Sequence, residues 1–248
     1  TGRIVIDAEA NDYRKAWVFS EGLAAVKRAG KVGFINAENE VVIPFQFDYS
    51  YKCRMWDFAY LFHNGYCIMT NKSGDLGLID KGGNWVVEPE YDEIWAPHSS
   101  GYRVIVKNGK HGVLDSNCAV VYPVEYGHID ILSDGFVLTK DGKRWQEDFE
   151  GNITQPFMFD GTYDLRYPNG YDCCGDLVYE LADFVQYEVM NSYGIMNRIT
   201  GEPITPAIYS DINMLSKDLF EVQESDSYDW YLLNTKCNVV SKGNIQIK

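Results

Sequence analysis

The sequence predicts an all-β chain, a tandem array of about six three-stranded antiparallel meander repeats. Three recurring spacings predict it. An Asn or Asp closes a short apolar segment at Asn36, Asp80, Asp115, Asp148, Asn197 and Asn234, at intervals of 44, 35, 33, 49 and 37 residues. An aromatic or Leu opens each copy 12 to 14 residues earlier, at Leu23, Tyr66, Tyr102, Phe136, Phe184 and Phe220. A Pro follows the anchor by eight or nine residues at Pro44, Pro89, Pro123, Pro156 and Pro206, with an aromatic two or three positions beyond it. Units of fixed period cannot bury an apolar face alone and must stack on their neighbours.

Each element follows in order. The first strand is short and apolar or alternating, as in Leu23-Ala-Ala-Val26 and Tyr102 to Val106. A turn follows at Ala29-Gly30-Lys31, Asn108-Gly109-Lys110 or Asp141-Gly142-Lys143, where Asn-Gly and Asp-Gly supply the positive φ of tight hairpins. The second strand carries Gly33, Gly77, Gly112 or Gly194, a place for close approach of backbone or a ring. A second turn (Lys81 to Asn84) leads to a third strand such as Val41 to Ile43 or Trp85 to Val87. Pro, lacking a ladder donor, is expected to end it. No segment has a long helical period; the best candidate, Leu177 to Gln186, is short.

The units run roughly 19–60, 61–97, 98–131, 132–180, 181–215 and 216–248, after a partial 1–18, with insertions at 49–60 and 161–182. No linker interrupts them, so residues 1–248 read as a single array. In the fourth copy, Trp145-Gln-Glu-Asp148 replaces the Gly and apolar pair, so its second strand is expected to be irregular or exposed. The sixth ends after Val240 without its Pro, and Thr1 to Ile6 reads as the third strand of an earlier copy. Variable unit length favours a curved, open, solenoid-like array. The alternative is a six-bladed β-propeller.

The copies resemble the bacterial WG repeat family, whose pattern runs G-L-A-x-V, N-G-K-W-G-[FY]-I-[DN], G-x-x-V-I-P and an aromatic-Asp close. Residues Phe19 to Asp48 match it with Lys31-Val-Gly33 where the family has Lys-Trp-Gly, and Tyr102 to Tyr126 match with His111 in the Trp position. The resemblance implies a bacterial source and an interaction module attached to other domains. It carries no catalytic residues, because the motif contains none.

Composition narrows the partners. With 36 acidic and 22 basic residues the net charge is −14, which leaves little to neutralise phosphates and argues against nucleic acid or an anionic membrane. No run of apolar residues is long enough to span a bilayer. The six cysteines follow neither a disulfide framework nor a zinc spacing, and Cys173-Cys174 are adjacent, so a reduced compartment such as the cytoplasm is favoured. Neither a metal nor a cofactor is called for. The four histidines lie in separate stretches without HxxxH or HExxH spacing, and no nucleophile elbow or phosphate loop is present.

The insertions are the stronger clue, since insertions in repeat arrays map to loops on a binding face. Tyr51, Trp56 and Tyr60 in the first, and Tyr163, Arg166, Tyr167 and Tyr171 in the second, form the candidate surface. Such side chains offer large contact area with few rotamers to freeze. The competing reading is that these loops fold back and cap the array. The expected function is a non-catalytic binding or scaffold module for a protein or peptide. A glycan-binding module is the alternative, and a propeller-type glycoside hydrolase, which needs two convergent carboxylates, comes third.

Overall fold

The computed structural model describes residues 6–50, 59–227 and 229–242. Among these the chain is all β-strand and turn, and it divides into two compact units, Thr1–Ser133 and Asp134–Lys248. In the first unit one antiparallel sheet comprises β1 (Lys15–Ala16), β2 (Ala24–Arg28), β3 (Lys31–Ile35), β4 (Val41–Asp48), β5 (Phe62–His63), β6 (Tyr66–Thr70), β7 (Leu76–Ile79) and β8 (Trp85–Tyr91). A second holds β9 (Glu93–Ile94), β10 (Arg103–Lys107), β11 (Lys110–Leu114) and β12 (Val120–Tyr126), followed by β13 (His128–Ile131). In the second unit β14 (Gly135–Lys140), β15 (Lys143–Asp148) and β16 (Ile153–Gln155) pair in order. The remaining strands pair consecutively into one sheet: β17 (Gly161–Tyr171), β18 (Leu177–Val189), β19 (Ser192–Asn197), β20 (Tyr209–Ser216), β21 (Leu219–Glu224), β22 (Trp230–Asn234) and β23 (Val239–Lys242).

The meander is present as expected in β2–β4, β6–β8, β10–β12, β14–β16 and β21–β23. The segment ahead of a copy adds a further strand beside its first one: β1 on β2, β5 on β6, β9 on β10, β17 on β18 and β20 on β21. The first unit packs around Phe34, Ile43, Phe62, Met69, Leu78 and Ile105. Each such side chain contributes roughly 1.5–3 kcal/mol by leaving water.

The recurring side chains now have causes. The anchor is a turn cap. Its side-chain oxygen accepts from the amides two and, in most copies, four residues on, closing the turn between second and third strands. Asn36 holds Glu38 and Glu40 (3.1 and 2.8 Å), and Asp115 holds Asn117 and Ala119 (both 2.8 Å). Asp80, Asp148 and Asn234 repeat this, while Asn197 holds Ile199 and Thr200. The second-strand glycine sits beneath a bulge. Phe34 pairs with Ile43 and Val32 with Phe47, so residues 44–46 face Gly33 alone. A Cβ there would stand 2.8 Å from the Ile43 carbonyl oxygen; at Gly77 it would stand 2.4 Å from that of Val87, and at Gly112 2.7 Å from that of Tyr122. At Gly194 the Tyr187 ring fills the same space, 2.4 Å away.

Two expectations need correcting. Pro44, Pro89 and Pro123 do not end the third strand; β4, β8 and β12 run through them. Each Pro falls among the bulged residues, where no ladder donor is required. The polar second strand of the fourth copy is regular, though left part-exposed as the other half of the expectation had it: β14 and β15 pair without a slip from Gly135↔Asp148 to Lys140↔Lys143, and no residue of β15 is buried. There Trp145 replaces the Gly, and the third strand shrinks to the three residues of β16. Leu177 to Gln186 is strand within β18, not helix.

Candidate functional site

The insertion at 161–182 forms a long hairpin, β17–β18, whose tip uses the device of the repeat turns. Asp172 accepts from the amides of Cys174 and Asp176 at 2.8 and 2.9 Å. The amides of Asp176, Asn84 and Asn152 each help hold the carboxyls of Asp172, Asp80 and Asp148 below the usual carboxylate range, with the Asn152 side chain acting first at Asp148. Gly170 and Gly175 take φ of 84° and 87° at either side of the tip.

Cross-strand register sorts the hairpin into two faces. On one, Leu165 and Ala182 are buried against Ile212, Met214 and Phe220, with Tyr167 packed at the margin. Tyr163 and Tyr167 are tied there by their hydroxyls, which donate to Glu188 at 2.6 Å and to Glu180 at 2.7 Å. Those bonds raise both phenol pKa values above the ordinary range. The Tyr163 ring also meets Tyr193 edge-on at 6.0 Å.

The other face changes character along its length. Its base holds Val185, Tyr187 and Val189, buried with Met196, Ala207 and Phe157. The Tyr187 hydroxyl donates to the Thr205 carbonyl at 2.6 Å, and burial pushes its pKa up to about 12. Toward the tip, the cross-strand pairs Arg166↔Leu181, Pro168↔Tyr179 and Tyr171↔Leu177 lie on this face. Among the described residues nothing covers them. Tyr171 is 73% exposed, Tyr179 53%, Leu181 47% and Leu177 41%. Four large apolar side chains side by side in solvent form a patch of the kind that marks an interaction surface.

The seven candidate residues therefore separate. Arg166 and Tyr171 belong to the exposed stripe; Tyr163 and Tyr167 sit on the opposite face, engaged with Glu188 and Glu180. Tyr60 is no surface residue. It is 3% exposed, in the core of the first unit against Trp17 and Tyr49 at 4.5 and 6.0 Å, because its neighbours Ala59 and Phe62 are buried with it. Tyr51 and Trp56 lie outside the described residues. Leu177, Tyr179 and Leu181 were missed, although they alternate with Val178, Glu180 and Ala182 at the two-residue period of a strand.

Charge surrounds the stripe unevenly. Between Asp160 and Val189 stand Asp160, Asp164, Asp172, Asp176, Glu180, Asp183 and Glu188 against Arg166 alone. Asp160 pairs with Arg144 and Asp164 with Arg198, both at 2.7 Å, whereas Asp176 and Asp183 are exposed without an ion-pair partner among the described residues.

The first unit offers two other places. A groove of about 600 Å³ is walled by Trp85 beside Asp48, Asn71 and Asn84, the residue types that bind sugars. Their polar groups are already engaged: Asp48 accepts from Lys31, Asn71 donates to Asp75 and the Pro89 carbonyl, and Asn84 donates to Asp80. His111 and His128, far apart in sequence, bring their rings to 4.8 Å beside Trp95. Among the described residues no group of three His, Cys, Asp or Glu side chains is placed to hold a metal ion. Glu221 is the one carboxylate buried among them. Cys118, Cys173, Cys174 and Cys237 are free thiols, with the Cys173 and Cys174 sulfurs 3.9 Å apart at the hairpin tip.

The WG containing repeat matches residues 1–31, 33–72, 77–110 and 193–228, more than half of the chain. The chain belongs to the WG repeat family. The WG matches leave out residues 111–192, which include the Trp145 copy and the long hairpin. No curated protein matches the sequence. Among solved structures, a eukaryotic initiation factor is 8% identical, with 93% of this chain and 76% of that one covered at a TM-score of 0.34. Hsv2 of Kluyveromyces lactis, with a Gly-Ser linker in place of its loop 6CD, is 8% identical over 93% and 81% at 0.30. The Pan2 WD40 domain of Neurospora crassa is 12% identical over 92% and 77% at 0.29. Likeness at that level carries no argument about this WG chain.

Proposed function

We propose that this WG repeat chain is a binding module for a protein or peptide and that the distal face of the β17–β18 hairpin is its contact surface. The stripe of Tyr171, Leu177, Tyr179 and Leu181 carries this reading, being contiguous, apolar and exposed where the base of the same face is buried. A WG array is a framework generally without catalysis, and an insertion outside the repeat pattern is a natural place for a partner-specific surface. The Trp85 groove supports a glycan reading less well, because binding a sugar there would first break bonds that hold the repeat together. The test is a peptide display library panned against the full chain. The reading expects enriched peptides whose binding falls about tenfold or more with Tyr179→Ser or Leu181→Ser. Enriched peptides that bind both variants as tightly as the parent would overturn it, as would no enrichment at all.

A further inference from the structure

The stripe also constrains what lies on it, and this step rests on the reading above. The outer edge of β17 is unpaired among the described residues, which suggests strand addition. The edge is interrupted, however. Pro168 has no amide donor, and register slips fall between Asp164 and Arg166 and between Pro168 and Tyr171. Continuous main-chain pairing along the distal half is therefore blocked, and recognition falls to side chains on the face.

Those side chains have a definite order along the arm. Asp176, without an ion-pair partner among the described residues, stands at the tip, then Leu177, Tyr179 and Leu181 point to one face, then Asp183, likewise without one among them, closes the row. Asp172 adds charge at the tip, whereas Asp164 at the base is already paired with Arg198. At the rise of a strand, the distance from Asp176 to Asp183 is roughly 24 Å, about seven extended residues. Apolar rings in the middle with carboxylates at both ends match a segment of the inverse pattern.

We infer that the occupant is an extended cationic segment, about five apolar or aromatic residues bracketed by Lys or Arg, lying along the Leu177–Tyr179–Leu181 row with its basic ends on Asp176 and Asp183. The apolar centre supplies affinity; the end charges set register and exclude acidic competitors.

Fluorescence polarisation on the full chain tests this with two labelled peptides. One has Lys at both ends and alternating Val and Tyr between; the other has Glu at both ends. The Lys-ended peptide is expected to bind about tenfold or more tightly than the Glu-ended one, and its binding to weaken as salt rises. The double variant Asp176→Lys/Asp183→Lys, at two exposed positions, is expected to invert that preference. Tyr179→Ser is expected to weaken both peptides. Equal binding of the two peptides, or a preference that survives the charge reversal, would overturn the inference. So would self-association of the parent that Tyr179→Ser abolishes, since the stripe would then serve a second copy. Library peptides that need Tyr179 but carry no basic ends would overturn the cationic segment and leave the arm as the site. Peptides indifferent to Tyr179 would remove both readings.

Discussion

The two halves of β18 are written in the same alternating pattern and end in opposite surroundings. In the proximal half Val185, Tyr187 and Val189 point into a cluster with Met196, Ala207 and Phe157. In the distal half Leu177, Tyr179 and Leu181 point the same way into solvent. Alternation therefore makes the strand, but a covering segment makes the core. The chain before β17 and after β19 supplies Phe157 and Ala207 at the base, and no described residue does so at the tip.

The comparison is broken most severely at its buried end. Tyr187→Ala removes a ring and a hydroxyl bonded to Thr205, leaving a cavity beside Gly194. It is expected to cost about 3–5 kcal/mol in urea-induced unfolding of the second unit. Tyr179→Ala, four periods of the alternation away, is expected to stay within about 0.5 kcal/mol. Equal losses would mean that the distal face is covered. Gly77→Ala probes the framework itself, because the new Cβ would meet the Val87 carbonyl and force the bulge of β8 to shift. About 1–3 kcal/mol is expected in the same measurement. Asp80→Ala, which frees the amides of Gly82 and Asn84, is expected to cost about 1 kcal/mol.

Smaller effects come with pH. Burial, then His128, lowers the His111 pKa from 6.5, and its Nδ1 is buried without a hydrogen-bond partner among the described residues. Because the unfolded chain takes up the proton more readily, this contribution is full above about pH 6.5 and is lost as pH falls through the lower folded value. Asp80 and Asp148 add a second loss below the ordinary carboxylate range, with the same sign. Urea midpoints between about pH 2 and 8 are expected to fall on the acid side in two steps and, in His111→Gln, to lose the upper step.

Much of this was legible in the sequence. The anchor Asn or Asp, the second-strand Gly and the Pro recur because a turn cap, a bulge crossing and an unpaired bulge position each admit few residue types. The extra strand ahead of each copy was not legible, since two residues such as Phe62–His63 show no period. Tyr60 was misread because composition cannot tell a ring that caps a core from one that faces a partner. Leu177 to Gln186, the best helical candidate but too short to make one, is strand, in line with the all-β reading. Which half of β18 is covered depends on Phe157 and Ala207, distant in sequence, and no local pattern carries that.

The most direct test of the central claim is amide hydrogen exchange on the full chain with and without a library-selected peptide. Added protection is expected on β17 and β18 from about Arg166 to Leu181, with the amides flanking Trp85 unchanged. Protection confined to the Trp85 groove, or to the repeat turns, would contradict the assignment of the hairpin as the binding surface.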